Sequence, residues 1–483
     1  MQLSRLLLII TFLTVILVAC TNESEYVENA YEESLTNYEA VIDILIELYP
    51  MICLTEEMRD LVLEDFDYFV EIILANAPSQ VIFERRFDMT LEQRLVEMRE
   101  AIYNREPIRS SYARVRAGRY ELEIPTESRD FAARYLFSLL EQFSTNFTAG
   151  NFRPPSFPRY LWMLTEMKAA LHQAEIIDDL LVIDVENWFG GARFTQLQID
   201  AFTAEQTLWF YGVDLDLDEI DLYFDFNDTT IHFHDPNNVE TEIIEENRIA
   251  RFSLRHFYNR PIIDSEILFP FFEEIQDFEH LIIDLRANDG GAVHYFPNYI
   301  VAMLIDEPIE VRKNEFFMAG EHSRQLAEYS RTSWFFGSAD EILIAADFVN
   351  EHDFPYFNEA DLDILAYVIP WKLEITPRED NIPFGGKIWM LVNGVSISGA
   401  ELAAYIAIDS GFATVVGSPT ARHAPTMRTY VSLPNTGILY RINAGYTIDA
   451  YGRSLEEFGV TPQIFVPRGQ DSLEEVLNLI DSE

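Results

Sequence analysis

The chain has 483 residues, and its 81 Asp and Glu against 34 Lys and Arg give a formal net charge of −47. A polyanion of this size repels phosphate backbones and anionic lipid headgroups, which excludes nucleic-acid binding over a broad basic surface and leaves covalent or inserted attachment as the route to a membrane. The acidity does not signal disorder, because 48% hydrophobic and 13% aromatic residues supply buried cores; at roughly 100–200 residues per domain, two to four domains are expected.

At the N-terminus, Arg5 precedes an apolar run of about 14 residues, Leu6 to Ala19, shorter than the ~20 a membrane-spanning helix needs and suited to a signal-peptide core. The run closes on Leu17-Val18-Ala19-Cys20, which resembles a bacterial lipobox. That resemblance implies a signal peptide over 1–19, acylation of Cys20, and an exported protein lipid-anchored on the outer face of the bacterial cell membrane. An ordinary secretory signal with a chance cysteine is the alternative. Residues 20–34 are mostly polar and acidic, as a tether would be. Cys53 is the second of two cysteines, so there is no disulfide framework, and its apolar neighbours predict a small buried residue.

Residues 35–178 read as a helical N-terminal domain. Leu63, Phe66, Phe69, Val70, Ile73 and Leu74 recur at three- and four-residue spacing, with Pro78 and Pro107 as punctuation. Further helices are expected near Arg129–Gln142 and Phe157–His172. Residues 179–246 form a β-rich connecting segment, with Leu180–Ile183, the alternating stretch from Val213 and a run from Ile220 to His234. Asp214, Asp216 and Asp218 alternate with apolar residues, which is a solvated strand face and not the spacing of a calcium loop. His232 and His234 share a strand face without further ligands, so no metal site is expected.

From Asn247 the chain alternates strands and helices: Ile249–Leu254, Leu281–Leu285, a helix near Pro297–Leu304, Ile388–Val392, a helix over Gly399–Ser410, and Ala413–Val416. This succession predicts an α/β layered core over 247–483. Ser323 to Pro377 shows helical patches without an assignable role.

Two segments carry chemistry. The strand Leu281–Leu285 runs into Gly290-Gly291, and glycine lets backbone N–H groups approach a ligand closely, as an oxyanion hole requires. The strand Ile388–Val392 runs through Asn393-Gly394-Val395-Ser396-Ile397 into Ser398-Gly399-Ala400-Glu401, a helix start. Ser398 with Glu401 reads as a capping box, and equally as a nucleophile whose oxyanion the next N–H and the helix dipole would meet.

Together with Gly452-Arg453-Ser454-Leu455-Glu456-Glu457-Phe458-Gly459, these segments resemble the tail-specific (C-terminal processing) serine peptidases and their tricorn-like relatives, in the right order from about Asn247 to Pro467. The resemblance implies a ClpP/crotonase-like α/β core. Ser398 would be the nucleophile, the N–H groups of Gly399 and of Gly290-Gly291 would be the oxyanion donors, and no cofactor would be needed. The N-terminal half more loosely resembles the helical leader of Gram-positive lipoproteins in the superfamily, and no PDZ domain is recognisable.

The catalytic base departs from both branches. Where the processing branch has a lysine, Gly417-Ser418-Pro419-Thr420-Ala421-Arg422-His423 places His423. Where the tricorn-like branch has a leader histidine, an ungapped match of residues 140–148 places Phe147. The tricorn-like glutamate corresponds to Glu456. His423 is the first candidate base, because an imidazole titrating near pH 6.5 suits general-base work at neutral pH, and hydrolysis would then fade through roughly pH 6–7. His256 and His294 are further candidates, and the sequence leaves the base open.

The expectation is therefore a surface-anchored serine endopeptidase of peptides or proteins. A degenerate relative that binds peptides or scaffolds envelope proteins without turnover is the second reading, and a solute-binding lipoprotein the third. An acidic exterior would steer basic peptides toward such a protein.

Overall fold

The computed structural model describes residues 51–109, helical residues between 132 and 143, the strand segments Phe152–Arg153, Ala174–Ile177 and Leu180–Ile183, and residues 237–482 apart from 258–260, 331–337, 424 and 468. Cys20, Phe147, Asp214, Asp216, Asp218, His232 and His234 lie outside the described residues.

After a short strand at Met51–Ile52 come three helices: α1 (Glu56–Asn76), α2 (Gln80–Phe87) and α3 (Leu91–Tyr103). Thr55 starts α1 by accepting the Met58 N–H at 3.3 Å. Thr90 starts α3 through a reciprocal box with Gln93, at 3.0 and 2.9 Å. Pro78 falls between α1 and α2, where it cannot interrupt a hydrogen-bonded turn. Val62, Phe66, Phe69 and Ile73 of α1 are buried with Leu95, Met98 and Ile102 of α3, each set at helical spacing.

The core follows in the order β1 (Val239–Glu245), β2 (Ile249–Leu254), α4 (Pro261–Ile275), β3 (His280–Asp284), β4 (Ile309–Met318), α5 (Glu321–Ser330), β5 (Leu365–Ile375) and β6 (Lys387–Val392). It continues with α6 (Gly399–Asp409), β7 (Thr414–Gly417), β8 (Arg428–Ser432), β9 (Leu439–Asn443), β10 (Gly445–Ile448), α7 (Leu455–Phe458), β11 (Ile464–Phe465) and α8 (Ser472–Ser482). The central sheet has the order β11-β7-β6-β3-β2-β1 and is parallel except for the edge strand β1.

Alternation along the central strands explains the layers. Leu281 and Ile283 of β3 and Met390 and Val392 of β6 face the cluster that holds α6 and α4, while Ile282, Trp389 and Leu391 face Val476 and Ile480 of α8. A parallel sheet covered on both faces needs such continuous apolar strands. The protein is thus a mixed α/β core preceded by a helical N-terminal region.

Several expectations change. The central sheet takes its edge strand from Val239–Glu245, upstream of the boundary expected at 247. The stretch around Ser323–Pro377 contains helices at Glu321–Ser330 and Ala345–Glu351, but also β5, which pairs with β4 over ten residues in a second, antiparallel sheet. Its strand character was hidden because Pro370 interrupts β5, while β4 buries the charged Lys313 and Glu315. Cys53 is exposed, not buried.

A third sheet joins β8, β9 and Phe152–Arg153. Tyr430, Val431, Leu439, Tyr440 and Ile442 of this sheet belong to the same apolar cluster as α1, α3 and the helical residues at 132–143. Asp65 of α1 caps the β8–β9 turn, accepting from Asn435 N at 2.7 Å, Thr436 N at 2.8 Å and Thr436 Oγ1 at 2.5 Å. The helical region is therefore packed onto the strands that follow the His423 loop.

Candidate active site

The site forms at the carboxyl ends of β3 and β6, where each strand leaves the sheet through a glycine-containing turn. After β3, Asn288 is buried; its Nδ2 donates to Leu254 O at 3.1 Å, and its Oδ1 accepts the Gly290 N–H at 2.9 Å. Gly290 and Gly291 have φ of +87° and +132°, conformations that side chains rarely permit. A methyl group on Gly290 would lie 2.6 Å from Ile397 O and 2.8 Å from Ser398 Cβ, and one on Gly291 would overlap the Phe257 backbone. The diglycine is required because two turns of backbone pass at contact distance.

After β6, Ser396 Oγ donates to Leu285 O at 2.8 Å and Ile397 N donates to Asn288 O at 3.2 Å, tying the second turn to the first. Ser398 then adopts φ +57° and ψ −111°, uncommon for a residue with a side chain, and α6 begins at Gly399. The helix is rich in buried alanine and starts with its positive dipole end at this corner. Ser398 is half-buried, and among the described residues no side chain is hydrogen-bonded to its hydroxyl. Gly290 N–H is committed to Asn288. Among the described residues, the Gly291 and Gly399 N–H groups donate to no protein acceptor.

Glu401 organises the corner. It is fully buried, and its Oε2 accepts the N–H of Ser398 at 3.1 Å and of His423 at 2.7 Å. Its Oε1 accepts the Arg422 N–H at 2.9 Å and Thr420 Oγ1 at 2.6 Å. Burial pushes the Glu401 carboxyl up to about 7, against the lowering effect of these four donors. The capping-box pattern pointed to the Ser398 contact. Nothing in the pattern announced the other three, which come from a loop some twenty residues on.

That loop brings His423 to the corner by its backbone. Burial pushes the imidazole down to about 4; a hydrogen bond to the Arg422 backbone opposes this, and the charges of Arg428 and Arg441 add to it. The closing motif arrives beside the same loop: Thr420 Oγ1 accepts the Val460 N–H at 2.8 Å, and a methyl on Gly459 would lie 2.7 Å from Thr420 O. The three sequence motifs thus converge on residues 398–401 and 420–423.

Glu456 occupies a separate buried cluster. It accepts the Thr447 N–H at 3.2 Å and Ser454 Oγ at 3.2 Å. Burial pushes its carboxyl up to about 8, with Glu315 raising it further and Lys313 lowering it. Lys313, itself buried, binds Glu315 Oε2 and Pro425 O, both at 3.2 Å, and Glu315 Oε1 accepts Met427 N–H at 2.8 Å. Lys313 and Glu315 were not singled out in the sequence; they hold the segment that follows His423. Among the described residues, no hydrogen bond joins Glu456 to Ser398 or His423. Of the other histidines, His256 is buried with its backbone N–H on Asn238 Oδ1 at 3.0 Å, and burial lowers His294.

Residues 250–466 match the family model of Peptidase family S41. A comparison with curated proteins found no significant match. Similar solved structures include the photosystem II D1 C-terminal processing protease, at 15% identity over 51% of this chain and 53% of that chain with a TM-score of 0.31. Mature CPAF complexed with lactacystin is 12% identical over 88% and 98% of the two chains, with a TM-score of 0.45. A lipoprotein from Streptococcus agalactiae is 14% identical over 50% and 69%, with a TM-score of 0.31. The chain spans about half the length of the processing protease.

Proposed function

We propose that the chain, whose residues 250–466 match the model of Peptidase family S41, is an exported, lipid-anchored peptidase of the tail-specific type that cleaves peptides or proteins through an acyl-enzyme at Ser398. The observation that carries this reading is the corner itself. Ser398 stands in a left-handed conformation at the start of α6, against a diglycine turn, with two uncommitted N–H groups beside it. In this reading Gly291 and Gly399 donate to the oxyanion and Gly290 sets the approach of the two turns. His423 serves as the base, Glu401 orients both Ser398 and His423, and Glu456 supports the loop from a distance. Cys20, at the end of its apolar run, carries the lipid on the outer face of the membrane. The decisive measurement is labelling by a fluorophosphonate probe in the wild type and in Ser398→Ala. Label in the wild type alone is expected, and absence of serine-dependent label in folded protein removes Ser398 as nucleophile.

One observation favours a second reading, in which the fold binds peptides without turnover. Among the described residues no side chain is hydrogen-bonded to the Ser398 hydroxyl, and the His423 imidazole is held weakly basic. That reading expects saturable peptide binding with neither label nor hydrolysis.

A further inference from the structure

Arg85 of α2 clasps two distant stretches of the core at once. Its Nη1 donates to Asp361 Oδ1 at 2.6 Å and its Nη2 to Glu457 Oε2 at 2.6 Å, while Nε adds contacts of 3.1 and 3.0 Å to the same Glu457 carboxylate. All three guanidinium nitrogens are thus engaged by carboxylates that lie 276 and 372 residues further along the chain. Asp361 is buried and takes a second donor, the Tyr446 hydroxyl of β10, at 2.6 Å. A planar guanidinium fork suits such a double clasp, and a lysine ammonium would not. The arrangement differs from a surface pair such as Arg99 with Asp67, whose side chains are both about half exposed and whose attraction water largely screens.

Glu457 sits in α7, a single turn of helix that backbone bonds alone do not hold. Ser454 caps the turn by accepting the Glu457 N–H at 3.3 Å, and Arg85 grips it through the Glu457 carboxylate. Just past the turn, Val460 exchanges two hydrogen bonds with Thr420: Val460 N to Thr420 Oγ1 at 2.8 Å, and Thr420 N to Val460 O at 3.3 Å. Thr420 Oγ1 in turn donates to Glu401 Oε1, on the carboxylate whose other oxygen holds Ser398 and His423. A continuous series of bonded groups therefore runs from a leader helix to the Ser398 backbone.

We infer that Arg85 is a positioning residue for the Ser398 corner: by clasping Glu457 it fixes α7, which fixes Thr420 and hence Glu401. Arg85 lies ahead of the residues that match the peptidase family model, so a helix outside that match sets the geometry in which Ser398 reacts. The inference rests on the reading of Ser398 as nucleophile.

The test compares the full chain with Glu457→Ala, Arg85→Ala, both together, and Arg99→Ala as a control outside this path. Glu457→Ala releases α7 while the Arg85–Asp361 pair stays, so the outcome does not depend on the folding of Arg85→Ala. The readouts are amide hydrogen exchange at residues 398–401 and 420–423, and the rate of fluorophosphonate labelling in the folded fraction. Each single variant is expected to speed exchange and slow labelling about tenfold, and the double variant to be no worse than Arg85→Ala, as for two ends of one contact. Arg99→Ala should change neither readout. In peptide hydrolysis the loss should fall on kcat with KM little changed, because neither residue touches substrate. Unchanged exchange in Glu457→Ala, additive losses in the double variant, or faster exchange with unchanged labelling overturns the inference and leaves the peptidase reading in place. If the wild type takes no serine-dependent label, the peptidase reading falls, and exchange alone decides whether Arg85 holds the corner.

Discussion

Ser398 and His423 donate their backbone N–H groups to the same oxygen, Oε2 of Glu401, at 3.1 and 2.7 Å. The two backbones are therefore within two hydrogen-bond lengths of each other, and neither can shift without disturbing the carboxyl that holds the other. The other oxygen of Glu401 takes Thr420 and Arg422, so one buried group fixes the helix start against the whole loop.

Glu401→Gln keeps the side chain's shape but offers one acceptor oxygen in place of two. At least one donor pair loses its partner, at about 1–3 kcal/mol per stranded buried group. Urea denaturation should report that loss, and kcat/KM should fall at least about tenfold. Unchanged stability and turnover would contradict a positioning role for Glu401.

The pH profile separates the two titrating groups at the corner. Unperturbed imidazole behaviour puts a loss of hydrolysis near pH 6–7, but burial and the neighbouring arginines push His423 down to about 4. The imidazole then stays unprotonated through the neutral range, and its acidic limb in kcat/KM moves to about pH 4. A limb near 7 would belong to Glu401, whose carboxyl ionises there. It should vanish in Glu401→Gln and persist in any residual activity of His423→Ala; the reverse pattern would return the limb to the histidine.

Glu456 should make stability fall as pH rises. Its carboxyl, pushed up to about 8 by burial, keeps in the folded protein a proton that the unfolded chain releases near 4.5. Folding is thus favoured by this group below about pH 4.5, and the advantage is lost progressively up to about pH 8. Glu456→Gln removes the titration, so its stability should decline less between pH 5 and pH 8, by on the order of a few kcal/mol. Parallel denaturation curves for variant and wild type across that window would refute the assignment.

Gly290→Ala should damage the corner more than a comparable change elsewhere. The positive φ alone costs about 1–3 kcal/mol, and the new methyl would sit 2.6 Å from Ile397 O, a backbone atom with nowhere to go. Gly411→Ala is the control, with φ +71° and no atom within 4 Å of its would-be methyl. Both variants should lose stability, but only Gly290→Ala should lose fluorophosphonate labelling in the folded fraction.

The strands at 249–254 and 387–392 and the helix at 399–409 were legible because their apolar runs are dense and end at glycine or serine. Ser398 and the diglycine were visible for the same reason. The reach of Glu401 was not, since three of its four donors belong to residues 420–423 and two of those are backbone groups that no residue type reveals. Strands β4 and β5 escaped because they pair with each other while carrying buried charge and an internal proline, features that pattern reading assigns to surface or loop.

Phe69 of α1 meets Tyr440 of β9 edge to face at 4.6 Å, within the apolar cluster that covers the β8–β9 hairpin. The leader helices are in this sense the hidden side of the candidate site, supporting the strands that carry Arg428 and Arg441. The core strands without these helices would lose the apolar cover of the β8–β9 hairpin that follows the His423 loop.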